Sequence, residues 1–348
     1  MTLEDKRVLI TGGTGSLGKA LVRRILTGEL GKPKQVIVFS RDEAKQHYMR
    51  LEYLNRRLAT DEVIYRNFQE SLTFRIGDVR DYHSVRAAIG MADIVIHAAA
   101  LKQVPTCEYS PSEAVLTNVL GATNLVRAIL ESDSPVESVI GISTDKACKP
   151  VNVMGMTKAI QERILVQGNL DCPRTRLVCV RYGNVISSRG SVIPLFREQI
   201  RRGGPVTITT PDMTRFLLSL DRAVDTVFTA LKEAKRGETY VPCIRSAKVT
   251  EIAEIMIGGR PIKTKFTGIR PGEKVHEILA SEEEVHRTVK RGAYYAILPI
   301  LPELQGTPPT KPALDKEFSS ADNLTTRTEL EKLLKTELLT VEDEAEYQ

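Results

Sequence analysis

The stretch Val8–Leu21, "VLITGGTGSLGKAL", carries a β-branched apolar run, then Gly12, Gly15 and Gly18 three residues apart, then the start of a helical pattern. Glycines at this spacing let a backbone turn tightly and approach a pyrophosphate. The helix N-terminus next to them offers unpaired N–H groups and a favourable dipole. Thr14, Ser16 and Leu17 lie between the glycines and are expected to share the phosphate contacts. An isolated loop of this kind is also compatible with a plain strand–helix turn, so its meaning depends on the rhythm of the chain beyond it.

Outward from that loop, short apolar runs recur as "QVIVFS", "LTFRIGD", "DIVIHAA", "SVIGIST" and "TRLVCVRYGN". Helical patterns separate them, such as "LGKALVRRILTG", where Leu17, Leu21 and Ile25 share one face. A βαβ rhythm predicts a parallel sheet covered on both sides, so the predicted class is α/β, a Rossmann-like doubly wound sheet. The rhythm predicts a dinucleotide-binding domain over residues 1–184, with 217–246 returning to it. Gly/Pro-rich loops mark a smaller C-terminal substrate-binding lobe over 185–216 and 247–306. The tail, 307–348, carries a helix expected to be capped by Ser320 or Asp322.

Composition narrows the function classes. With 42% hydrophobic and 27% charged residues the chain reads as an ordinary globular protein. The absence of a signal-like start and of a long apolar run predicts a cytoplasmic protein that does not enter membranes. The five cysteines are scattered without a Cys-x-x-Cys, which argues against zinc or a disulfide framework, and no metal is expected. A net charge of +5 suits an anionic small ligand. No dense basic block or basic–aromatic interleaving suggests nucleic acid. His97 is expected to pack or hydrogen-bond at a strand end.

The second strand speaks to the cofactor. An acidic residue at its end favours NAD; here Ser40 and Arg41 occupy that place, a hydroxyl and a fork-shaped cation suited to a 2′-phosphate. The expected cofactor is therefore NADP, with Asp42 following immediately. Asp78 and Val79 are expected near the adenine. Ala98, Ala99 and Ala100 offer small side chains that let a cofactor pass, and Asn118 either holds structure or holds a water.

An ordered set of motifs, "TGGTGSLG", "FSRDE", "GDVRD", "HAAALKQVP", "STDKACKPVN", "RYGNVISSRGSVIPLF", "PDMTRF" and "RPGEKVHE", spans about Lys6 to Leu301. It resembles the extended short-chain dehydrogenases/reductases and, within them, the inverting UDP-N-acetylglucosamine 4,6-dehydratases of bacterial surface-sugar biosynthesis. That family carries an Asp-Lys pair followed by Tyr-x-x-x-Lys. Asp145, Lys146 and Lys158 match, whereas Met154 stands in place of the tyrosine, as in a capsule-pathway branch that looks similar.

The resemblance implies a redox-neutral cycle with a tightly bound, recycled NADP. The sugar is oxidised at C4, loses the C5 proton and the C6 oxygen, is reduced at C6, and is reprotonated at C5 from the opposite face. It implies Lys146 as the C5 base and Asp145 as the C6 acid. Such a base must be a free amine and such an acid a protonated carboxyl. A positive ring ~6 Å from Lys146, at an effective dielectric of ~20, contributes about 2.8 kcal/mol, near two pKa units. The rest must come from a dry pocket. Loss of a positioned base costs about 10²–10⁴-fold. With Met154 in the slot, the C4 hydroxyl proton is therefore expected to go to Lys158, or to a water held by Lys158 and Thr144, or to Asp145.

The same resemblance implies that Tyr182 meets the nicotinamide and Asn184 the substrate phosphate. It assigns Gly190, Ser191, Val192, Thr207, Thr209, Thr214 and Arg215 to the nucleotide half of UDP-N-acetylglucosamine. Arg270 is the implied diphosphate clamp, Glu273 a ribose or arginine partner, and Lys102 a sugar contact. A homo-oligomer, dimer or hexamer, is the implied assembly. Two rival readings stay open: a UDP-sugar epimerase without dehydration, and a non-catalytic NADP-binding regulator.

Overall fold

The structure is a computed structural model that describes residues 2–54, 68–133, 136–186, 191–306 and 311–345, with side chains described to residue 336. β1 (Arg7–Thr11), β2 (Gln35–Ser40), β3 (Leu72–Ile76), β4 (Ile94–His97), β5 (Ser138–Ile142) and β6 (Arg176–Val180) are short β-branched runs that pair in parallel. They lie in the order β3-β2-β1-β4-β5-β6. The order reverses between β1 and β4, and a crevice at that switch point, beyond the carboxyl ends of the strands, is where such sheets bind ligands. The fold is the expected α/β, Rossmann-like one.

Why these runs are strands is visible in their burial. Val8, Ile10, Val36, Val38, Ile94 and Ile96 pack on one face; Leu9, Ile37, Phe39, Val95 and Val139 pack on the other. A strand buried on both sides must be apolar throughout, which is why these runs do not alternate.

The later strands are β7 (Asn184–Val185), β8 (Val206–Ile208), β9 (Thr214–Leu218), β10 (Thr239–Pro242), β11 (Ser246–Lys248), β12 (Thr264–Phe266), β13 (Ile278–Ala280), β14 (Thr288–Arg291), β15 (Tyr294–Ile297) and β16 (Phe318–Ser319). β10 pairs in parallel with β6, and β15 and β14 extend the sheet in antiparallel fashion. Thr288–Ile297, expected within the lobe, therefore belongs to the large sheet. The lobe has its own core, in which Ile193, Phe196, Ile252 and Ala253 meet Leu330 and Leu334 of the terminal helix Arg327–Ala345. That helix is not capped by Ser320 or Asp322. Thr326 accepts from the Glu329 N–H while Glu329 accepts from the Thr326 N–H, a reciprocal cap that starts the helix later. No helix of the described residues is long and apolar enough to cross a membrane.

Candidate active site

The helix Ser16–Leu26 starts without a side-chain cap, so its first N–H groups face the switch-point crevice. Gly12 has φ +67°, and a Cβ there would lie 2.8–2.9 Å from the Ala98–Ala99 backbone. A Cβ on Gly18 would meet Gly13 at 2.5 Å. The loop is thus drawn against β1 and β4 by positions that admit no side chain, which suits a pyrophosphate. The residues present fit a nicotinamide dinucleotide.

At the end of β2, the Thr14 hydroxyl donates to Ser40 Oγ at 3.1 Å. Arg41 is exposed, 3.8 Å from Asp78. Asp42 accepts from the Lys45 N–H at 3.0 Å and pairs with Lys45 Nζ at 2.6 Å, which turns its carboxylate into the start of the next helix. Asp78 is half-buried, which raises its pKa, but Arg80 outweighs this and holds it below the ordinary range. Val79 packs against Gly121. Asn118 is wholly buried: its oxygen accepts from the Leu101 N–H at 2.8 Å, and its amide donates to Leu101 O and Thr157 Oγ1, each at 3.0 Å. It fixes the loop after Ala98–Ala100; of the two expectations, holding structure is what its contacts do.

The second half of the site begins where β5 ends. Thr144 caps a single 3₁₀ turn, Asp145–Ala147, and its hydroxyl donates to Asp145 Oδ1 at 2.8 Å. Asn152 caps the helix Val153–Asp171 by accepting from the Gly155 N–H at 2.7 Å. A Cβ at Gly155 would lie 2.2 Å from Lys146 O, so only glycine lets this helix press onto the Asp-Lys turn. Asn152 also donates to Gly272 O at 2.7 Å, and Lys274 Nζ donates to Cys148 O at 2.6 Å. These bonds sew the "RPGEK" segment to the turn.

That stitching brings in a residue that motif spacing does not single out. Lys146 Nζ lies 3.1 Å from Asp145 Oδ1, 3.1 Å from Glu277 Oε1 and 3.4 Å from Asn184 Oδ1. Glu277 is 2% exposed and sits just before β13; Ser320, just after β16, receives its N–H at 2.9 Å. Burial raises Asp145, with the Glu277 charge adding to it, so its carboxyl holds a proton more readily than usual. Burial also opposes the Glu277 anion, but Lys146, Arg215 and Lys274 outweigh it and keep Glu277 below its ordinary range. Lys146 departs from expectation. Burial pushes it down, yet Asp145 and Glu277 outweigh burial and raise it, so the protein's own charges favour the ammonium over a free amine.

Among the described residues, six buried side-chain polar atoms lack a hydrogen-bond partner, and four of them are Asp145 Oδ2, Glu277 Oε2, Ser191 Oγ and Thr210 Oγ1. A buried oxygen without a partner costs free energy unless a ligand supplies one. Ser191 and Val192 begin the helix Val192–Arg201, where N–H groups are open to an anion.

The remaining expected residues have the following partners within the protein. Met154 is buried with Cys107 and Ala114, turned into an apolar cluster. Tyr182 buries its ring in the core and serves the site through its carbonyl, which accepts from the Asp145 N–H at 3.1 Å. Asn184 meets Lys146. The Thr214 hydroxyl is held by His276 and Ser320, and Arg215 binds the Thr214 and Val275 carbonyls while facing Glu273 and Glu277 at 3.9 Å. Glu273 is the arginine partner, and Thr209 donates to it at 3.1 Å. Thr207 is held by Gln199 at 2.7 Å. Arg270 and Lys102 are exposed; Gly190 lies outside the described residues.

Lys158 is buried with Nζ 2.5 Å from Ile142 O and 2.7 Å from Gln161 Oε1, and burial lowers its pKa to about 8. His97 is also buried: its Nδ1 meets Thr11 Oγ1 at 2.9 Å, and burial, helped by the Lys158 charge, brings it down to about 3. Behind the turn, Arg181 is gripped by Glu162 at 2.6 Å and Glu284 at 2.8 Å, while the Ser143 hydroxyl donates to Glu162. Sequence spacing gives no hint of this buried network.

A family model described as polysaccharide biosynthesis protein matches residues 8–299. An uncharacterized membrane protein of Methanocaldococcus jannaschii is 42% identical over 307 residues, covering 85% of this chain and 86% of that one. A protein of Rickettsia akari named UDP-glucose 4-epimerase is 43% identical over 298 residues, covering 84% and 83%. Of solved structures, Pen from Bacillus thuringiensis superimposes with a TM-score of 0.84 at 34% identity, over 97% of this chain and all of that one. The dTDP-glucose 4,6-dehydratase DesIV of Streptomyces venezuelae, solved with NAD bound, shares the fold with a TM-score of 0.64 at 20% identity, over 77% and 86%.

Proposed function

The chain belongs to the polysaccharide biosynthesis protein family, with the extended short-chain dehydrogenase/reductase fold, and on that premise we propose that it is an NADP-dependent UDP-N-acetylglucosamine 4,6-dehydratase that inverts C5. The expected product is UDP-2-acetamido-2,6-dideoxy-β-L-arabino-hex-4-ulose, made in the cytoplasm by a homo-oligomer for surface polysaccharide.

What carries the reading is the set of buried Asp145 and Glu277 around half-buried Lys146, in which two carboxyl oxygens lack partners. Epimerisation at C4 needs one group to take and return the O4 proton. It leaves C5 and C6 untouched and has no use for a buried carboxyl shifted toward its protonated form beside a lysine. Dehydration needs both. Asp145, raised by burial, is fit to protonate the departing C6 oxygen. Lys146 is fit to hold the C5 proton, and Lys158, near 8, to take the C4 hydroxyl proton directly or through a water. A bound nicotinamide dinucleotide supplies reversible hydride transfer. Exposed Arg41 favours a 2′-phosphate, while Asp42 is occupied by Lys45.

The name of the Rickettsia akari relative favours the second reading, a UDP-sugar 4-epimerase. Incubation of purified protein with UDP-N-acetylglucosamine in deuterated water separates the two by NMR. A 6-deoxy-4-keto sugar deuterated at C5 is expected; a C4 epimer that keeps its C6 oxygen and its C5 hydrogen would reject dehydration.

A further inference from the structure

We infer that Glu277 is the proton acceptor that frees the Lys146 amine, so that the catalytic machinery is a relay of three groups, Asp145–Lys146–Glu277, and not an Asp–Lys pair. This rests on the dehydratase reading above.

A base that attacks a C–H bond must first have a lone pair, and Lys146 sits between two carboxyl groups, 3.1 Å from each. Of these, Glu277 is the anion: Arg215 from β9 faces it at 3.9 Å, and Lys274 stands three residues before it with Nζ on Cys148 O at 2.6 Å. Asp145 faces Lys146 from the turn after β5, and burial together with the Glu277 charge shifts it toward its protonated form. Asn184 completes the surroundings of Lys146 and is neutral. Glu277 also has an oxygen, Oε2, that nothing in the protein satisfies, so its carboxylate can accept a proton without breaking a hydrogen bond at that atom.

Passing a proton from Lys146 to Glu277 breaks an Nζ–H bond and makes an O–H bond. It turns an ammonium and a carboxylate into an amine and an acid; the resting charges oppose this transfer, and a bound cationic nicotinamide would disfavour the ammonium and so promote it. The Nζ lone pair then takes the C5 hydrogen as a proton, and the C5–H electrons move toward the C4 carbonyl. Asp145 gives its proton to the C6 oxygen, which leaves as water. The proton parked on Glu277 restores Asp145 by way of Lys146, which touches both. The proton that left the C4 hydroxyl is equivalent to the one that returns to C5, so the cycle closes with every group in its starting state.

Glu277→Gln tests the relay, because the amide keeps the shape and the contact with Lys146 but accepts no proton. With UDP-N-acetylglucosamine and NADP in deuterated water, C5 deuteration at neutral pH is expected to fall about 10²–10⁴-fold. It should recover as pH rises, because solvent then removes the Lys146 proton. Cofactor reduction on substrate addition should stay within about twofold of the parent. Unchanged exchange, or a fall of equal size at every pH, would overturn the relay and leave Glu277 a structural neighbour. Should Glu277→Gln fail to fold, as read by thermal unfolding and NADP binding, Glu277→Asp replaces it. It is expected to exchange at an intermediate rate with the parent pH profile; a rate equal to the parent's would overturn the relay. If the parent enzyme itself exchanges no C5 hydrogen and releases no C6 oxygen, the dehydratase reading fails, and that outcome is separate from any effect of Glu277.

Discussion

At the proposed phosphate loop, Gly12, Gly15 and Gly18 follow one another from the end of β1 into the first helix, and Gly12 and Gly18 count for the side chains they lack. At the proposed catalytic wall, Asp145 and Lys146 leave β5 while Glu277 arrives from the segment before β13, far along the chain, and all three meet through side chains. The first region is specified by its own local sequence. The second exists only once Asn152, Gly155, Lys274 and Ser320 have drawn two distant segments together. Damage to the loop should therefore act on binding and folding, and damage to the wall on chemistry alone.

The largest effect tests the wall. Lys146→Met keeps the length and removes the amine, and C5 deuteration is expected to fall by at least about 10²–10⁴-fold while NADP affinity changes little. Exchange that persists, or dinucleotide binding that collapses with it, would erase the separation between the two regions.

The contrast also explains what local pattern can reveal. The strand runs, the glycine spacing, Ser40–Arg41 and Asp145–Lys146 are each contiguous, so they are legible in the chain itself. Glu277 stands in "RPGEKVHE", but only its distance from Lys146 in the folded chain gives it a role. The one available signal is a second acidic residue closing a motif whose first, Glu273, already reads as a polar partner. Thr214 and Arg215 are legible as polar residues, not as groups turned inward toward His276, Ser320, Glu273 and Glu277. Met154 is legible as a departure from the Tyr-x-x-x-Lys slot, but not as a side chain that joins Cys107 and Ala114 in an apolar cluster.

A middle-sized effect tests the loop. Gly12→Ala puts a Cβ 2.8–2.9 Å from the Ala98–Ala99 backbone at φ +67°, where an L side chain adds about 1–2 kcal/mol of strain before the overlap is counted. Isothermal titration should show NADP binding weakened by about tenfold or more, accompanied by a lower Tm. Binding at parent affinity would mean that the loop tolerates a side chain and that its glycines are not what admits the dinucleotide.

The smallest effect sharpens the comparison inside the loop region itself. Arg41→Ala should weaken NADP by about 1 kcal/mol, roughly fivefold, and leave NAD unaltered, because one exposed charge-assisted contact to the 2′-phosphate is lost. Equal effects on both cofactors would remove Arg41 from 2′-phosphate recognition.

The most direct measurement is a crystal structure of the protein with NADP and UDP-N-acetylglucosamine. Lys146 Nζ is expected within about 3–3.5 Å of the sugar C5, the reach of a near-attack geometry, with Glu277 still against the far side of the amine. A sugar bound with C5 out of reach of Lys146, and no movement of the Asp145–Ala147 turn able to close the gap, would contradict it.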